Sequence, residues 1–208
     1  MPQSNFPRRQ SGFTLIEIAI VLVIIGLLLG GILKGQELIT QGRIRNVAND
    51  FQSMTAAINL YQDRYRALPG DDNGAAARWS ITAPTGTLGD GIISGDYNSG
   101  TATDQSRQFW LHLRRAGLVG GAVTDDKNPP NAASGITGVQ NEAFGIPGIV
   151  ICSNNLPAKI AQAIDTQFDD GLSDKGTVRA AAGTTAGATA DADYVDDGTK
   201  FYVVCKAP

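Results

Sequence analysis

From Phe13 to Leu33 the chain runs 21 residues with a single charged side chain, Glu17. A helix of that length spans about 31 Å, matching the roughly 30 Å hydrocarbon core of a bilayer. Arg8 and Arg9 precede the run and Lys34 closes it. The pattern predicts a membrane-spanning helix. Beyond Lys34 the polarity changes but helical spacing continues. Ile44, Val47, Phe51, Met54, Ile58, Tyr61, Tyr65 and Leu68 recur three and four apart, with Arg43, Arg45, Asn49, Asp50, Gln52, Asp63 and Arg64 mostly off that stripe. The two patterns join into one helix of some 54 residues, from Phe13 to about Arg66. Its first half suits a bilayer and its second half anchors a head.

Leu68-Pro69-Gly70-Asp71-Asp72 stops this helix, since Pro and Gly cannot continue it. Residues 70–102 read as a loop with a short strand near Gly91–Ile93. Asp104 or Thr103 caps a helix running to Ala116, which buries Phe109, Trp110 and Leu113 and stops at Gly117. Residues 120–148 are loop-like. Ile146 to Cys152 reads as a buried strand. Pro157 opens a helix that places Ile160, Ile164 and Phe168 on one face, and Asp169-Asp170-Gly171 ends it. Val178 begins an extended segment, residues 181–199 form a mobile surface loop, and Lys200 to Lys206 is the last strand. The predicted fold class is α+β, a long N-terminal helix packed on a small antiparallel β-sheet head.

Within the apolar run, Gly26-x-x-x-Gly30 and Gly31-x-x-x-Gly35 have the spacing that lets membrane helices approach closely. Glycine is also simply common in such helices. Both readings stay open.

Glu17 is the anomaly. A carboxylate at the centre of a bilayer helix costs on the order of 2.5–3.5 kcal/mol, so it needs a partner and a function. A cut between Gly12 and Phe13 would create an α-amino group one helical turn before it, and the helix N-terminus would add positive charge. Gly12-Phe13-Thr14-Leu15-Ile16-Glu17, after a basic leader and before an apolar run, resembles the processing motif of type IV prepilins and type II secretion pseudopilins. That resemblance covers residues 8 to about 69 and is only general beyond them. It implies that a prepilin peptidase cuts after Gly12 and N-methylates Phe13. It further implies that Glu17 recruits and registers subunits in a filament, with other pilin or pseudopilin copies as partners. Where many family members carry a proline near the end of the apolar run, this chain has Lys34. The division that follows is residues 1–12 leader, 13–33 transmembrane and filament-core helix, 34–68 amphipathic helix, and 69–208 periplasmic or extracellular head.

The leader differs from an ordinary secretory signal, which is cut after its apolar stretch at a small-residue site. Here no such site follows, and Gly30-Gly31 leads on into a long helical pattern. The excess of positive charge before the span puts Arg8 and Arg9 in the cytoplasm and everything after Lys34 outside the bacterial inner membrane. Loss of residues 1–12 would move the formal charge from −3 to −5. From Ala67 onward ten Lys and Arg face sixteen Asp and Glu. An acidic head argues against phosphate neutralisation, so nucleic acid is not an expected partner, although Arg114 and Arg115 form a small basic pair.

Cys152 and Cys205, in a non-cytoplasmic compartment, are expected to form a disulfide. Asp165, Asp169, Asp170 and Asp174 are the calcium candidates. Some pseudopilins bind calcium in a C-terminal loop, but the EF-hand spacing is absent and a solvated acidic turn is the favoured reading. Asp71-Asp72 and Asp196-Asp197 are read the same way. No cofactor is expected. The single histidine, His112, lies beside Trp110 and Leu113 on an amphipathic helix and reads as structural. No phosphate-binding glycine loop, G-x-S-x-G or H-E-x-x-H occurs, so catalysis is not expected. Two functions remain: a structural pilin-like subunit, or a minor tip subunit whose head is a binding, adhesion or substrate-recognition module.

Overall fold

The computed structural model describes Gly12 and residues 14–208. Among them the elements are α1 (Leu15–Tyr65), α2 (Ala75–Trp79), α3 (Gln105–Arg115), β1 (Thr137–Ala143), β2 (Ile146–Pro157), α4 (Ala158–Phe168), β3 (Val178–Ala182) and β4 (Phe201–Lys206). The chain divides after Gln41 into two units, and α1 contributes to both. The fold is α+β, a long N-terminal helix plus a four-stranded antiparallel sheet of order β1-β2-β4-β3.

In the second unit the apolar stripe of α1 buries Ile44, Val47, Phe51, Met54, Ile58 and Tyr61, while Arg43, Arg45 and Gln52 stay exposed. The alternation of strand side chains sorts the sheet into two clusters. Val139, Ile151, Tyr202 and Val204 join the helices α1, α3 and α4, whereas Val150, Cys152, Val203 and Cys205 join Tyr97, Phe144 and Ile146 on the other side. Both faces of the sheet are therefore covered.

Several expectations are corrected. The segment 120–148 contains β1, whose sequence TGVQNEA lacks apolar alternation. It is fastened through Gln140, whose Oε1 accepts the Tyr97 N–H at 3.1 Å and whose Nε2 donates to the carbonyls of Ala186 at 3.0 Å and, within the strand, Glu142 at 2.7 Å. Gly138 lies so close to the Tyr97 carbonyl oxygen that a Cβ there would collide with it. The hairpin to β2 turns at Phe144 and Gly145, both with positive φ, 53° and 75°. That is the demand of a type I′ turn, met here by an unusual residue pair. The strand after it continues past Cys152 to Pro157.

Gly91–Ile93 is not a strand. Ile93 instead plugs the core from an irregular loop, and the short helix α2 interrupts residues 70–102. Asp104 occupies the N-cap position of α3 but makes no capping bond. Its carboxylate accepts from Ser99 Oγ at 2.6 Å. Residues 181–199 are tied down at many points. Tyr97 Oη and Asn98 Nδ2 donate to the Thr184 carbonyl at 2.5 and 3.1 Å, the Phe144 N–H donates to Gly187 O at 2.7 Å, and Tyr194 packs on Tyr202 with ring centroids 5.3 Å apart. Ala186 and Ala190 of this loop pack against the cluster on the second sheet face.

Candidate processing and assembly site

The first helical turn is closed by its own side chains. Glu17 Oε2 accepts the Thr14 N–H at 2.8 Å and the Thr14 hydroxyl at 2.7 Å, while the Glu17 N–H reaches Thr14 Oγ1 at 3.3 Å. This is a capping box, in which two otherwise unpaired backbone N–H groups are satisfied reciprocally. Its signature, Thr followed three residues later by Glu just before an apolar run, was open to reading in the sequence. Glu17 therefore has a local role as well as any intermolecular one. Gly12 is exposed, with no atom within 4 Å of where a Cβ would stand. Phe13, the expected residue of N-methylation, and residues 1–11 with the basic leader lie outside the described residues.

Beyond the cap the helix presents apolar side chains on every side. Its most apolar window has a mean hydropathy of 2.9 with none of it buried, long and apolar enough to cross a membrane. Leu15, Leu27 and Leu33 are 88, 73 and 68% exposed. So large an apolar surface calls for lipid or other helices around it. Gly26, Gly30, Gly31 and Gly35 each have open space where a Cβ would be, which leaves the backbone accessible to close approach.

Residues 7–33 match the family described as the prokaryotic N-terminal methylation motif. The chain carries that motif. It is the hallmark of type IV pilins and pseudopilins, a structural rather than a catalytic family. The methylation motif supports a type IV pilin-like subunit, and the long N-terminal helix with a small antiparallel sheet is a pilin-like architecture. None of the curated proteins compared with the chain matches it.

In the head that this motif carries, a disulfide joins Cys152 on β2 to Cys205 on β4, directly opposite each other in the antiparallel register. Both cysteines are fully buried in the cluster that covers the second sheet face.

Of the calcium candidates, Asp165, Asp169 and Asp170 bring carboxylate oxygens within 4.8 Å of one another, and Asp174 is not part of that group. The picture of a solvated turn fails for Asp165, which is fully buried. Its Oδ1 accepts the Gly171 N–H at 3.0 Å and its Oδ2 accepts the Tyr194 hydroxyl at 2.7 Å. Burial pushes its carboxyl above the usual range despite those bonds. Asp169 Oδ2 accepts the N–H groups of Thr177 and Val178, and Asp170 Oδ1 accepts that of Leu172. The donors are internal, and the cluster organises the loop between α4 and β3.

The pair Asp71 and Asp72 likewise is no solvated turn. Both are 2% exposed. Asp71 receives the N–H groups of Gly89 at 2.7 Å and Gly91 at 2.8 Å, one on each carboxylate oxygen, and so pins the long loop after α1. Asp72 Oδ2 accepts from Tyr61 Oη and Arg78 Nη1, both at 2.7 Å, and Oδ1 accepts the Gly74 N–H at 2.8 Å. His112, also fully buried, accepts the Gly70 N–H on Nδ1 at 2.9 Å and stacks on Tyr61, with centroids 6.3 Å apart. Burial lowers its pKa to about 4, so the ring is neutral and carries its proton on Nε2. The histidine fastens the end of α1 to α3.

Proposed function

We propose that the chain is a filament subunit processed by a prepilin peptidase, which cuts between Gly12 and Phe13 and methylates the Phe13 amine. The leader spans residues 1–12. Residues 13–33 hold the subunit in the bacterial inner membrane with the N-terminus cytoplasmic, and later form the filament core. Residues 34–68 carry the helix into the head, and residues 69–208 complete the head on the periplasmic side. The observation that carries this reading is the methylation motif over residues 7–33 at the head of an unburied apolar helix.

Glu17 supplies the register. In a filament the apolar helices pack against one another and water is excluded, so a carboxylate without a cation becomes much costlier. A stagger that brings a neighbour's Phe13 amine to Glu17 removes that penalty, and other staggers do not. Thr14 holds the carboxylate at the first helical turn while it waits.

Intact-mass measurement of the membrane form tests the processing step. The expected product begins at Phe13 and carries one added methyl group. A protein that keeps Met1–Gly12, or one cut after Leu33, would overturn the proposal.

A further inference from the structure

In the head, the face of α1 bearing Asp50 and Met54 helps wall a pocket of about 260 Å³, together with Trp110 of α3, Val119, Pro130 and Thr137. Its lining is mostly apolar, with one carboxylate. We propose that this pocket binds a lysine side chain presented by a peptide, the aliphatic stem lying along Val119 and Pro130 and the ammonium meeting Asp50.

The residues one helical turn from Asp50 are Asn46, Val47, Ser53 and Met54, none of them cationic, and no ion pair among the described residues involves it. A half-buried carboxylate in apolar surroundings is held at a desolvation cost that a cation would relieve. Burial alone raises the Asp50 carboxyl, with no cation nearby to lower it. The nearby Arg114 guanidinium, 6.0 Å from the Trp110 ring centroid, is taken: it donates to the carbonyls of Gly120, Asp125 and Lys127 at 3.3, 2.8 and 2.8 Å. It also lies 3.9 Å from the Asp125 carboxylate.

Those same bonds make the wall rigid. Arg114 clamps the segment 120–127, the Leu118 N–H returns to Leu113 O at 2.9 Å, and Pro130 bridges Ile136. A preformed wall loses little freedom when it is filled. Trp110 Nε1 and Thr137 Oγ1 are buried and make no hydrogen bond among the described residues. Lysine fits the shape because its charge stands at the end of a flexible apolar chain, and the volume admits that side chain with neighbouring peptide atoms.

The test uses the full-length protein in detergent with Trp79→Phe, which leaves Trp110 as the single tryptophan. Its fluorescence is followed while Nα-acetyl-lysine methylamide is added, with the norleucine and glutamate analogues as controls. Saturable binding of the lysine compound is expected, at least tenfold tighter than norleucine and with no response to glutamate. Asp50→Asn should lose that tenfold preference while keeping its melting temperature. Val119→Trp, made with Trp110 observed by indole N–H resonance, should fill the pocket and abolish binding. No saturable response, equal binding of norleucine, or an unchanged preference in Asp50→Asn would each overturn the proposal.

Discussion

Thr14 and Glu17 satisfy each other at the start of α1: the threonine hydroxyl donates to Glu17 Oε2 at 2.7 Å, and the Glu17 N–H points back to that hydroxyl at 3.3 Å. The carboxylate that assembly is expected to use is thus already part of a local cap. Its position is set before any neighbour arrives.

Substitution separates the two roles. Glu17→Leu removes the charge and should insert in the membrane at normal or higher levels, yet fail to join filaments. Glu17→Asp shortens the reach by one methylene and should join them partially. Thr14→Ala keeps the charge and removes the cap, a loss of about 1 kcal/mol at the helix start, so its filament incorporation should fall between wild type and Glu17→Leu. Membrane levels measured beside filament content decide the matter. Normal incorporation of Glu17→Leu would remove the carboxylate from assembly.

The Cys152–Cys205 disulfide closes a loop of sequence separation 53. In the chain-entropy model a loop of that size stabilises the fold by about 4 kcal/mol. Reduction, or the double replacement by alanine, should lower the melting temperature of the purified full-length protein by well over 5 °C, taking roughly 2–4 °C per kcal/mol for a domain of this size. Membrane insertion should be unaffected, because it depends on the N-terminal run. Free thiols in an alkylated, non-reduced digest would contradict the pairing.

Acid should loosen the head through His112. Its folded pKa of about 4 lies below the ordinary value of 6.5. Between those two values the unfolded chain binds the proton and the folded one does not, so stability declines as pH falls from 6.5 to 4 and the histidine contributes no further slope below that. His112→Asn should flatten this part of the profile, measured as denaturant midpoint against pH. A wild-type profile that is flat over the window would refute the buried neutral ring.

The acidic residues set the boundary of what the chain reveals on inspection. Asp71 and Asp72 sit in a Gly- and Asp-rich segment that resembles a solvated turn, and Asp165 lies near the end of α4 just before another. Each is buried because distant groups meet it: Gly89 and Gly91 for Asp71, Tyr61 and Arg78 for Asp72, Tyr194 for Asp165. β1 was hidden for the same reason, since TGVQNEA becomes a strand through Tyr97 and the loop around Ala186 rather than through any alternation of its own.

What the sequence by itself determined is the long helix, its buried face, the position of Glu17 and the strands around both cysteines. Those features repeat within a few residues, because the helical and strand periods are local properties of the backbone and an apolar face announces itself at that spacing. Only the tertiary structure decided β1, the coverage of the second sheet face by residues 181–199, and which carboxylates leave water. A buried carboxylate needs groups that satisfy it, and here, apart from Gly74 beside Asp72, the partners of these three carboxylates lie six to 34 residues away in sequence.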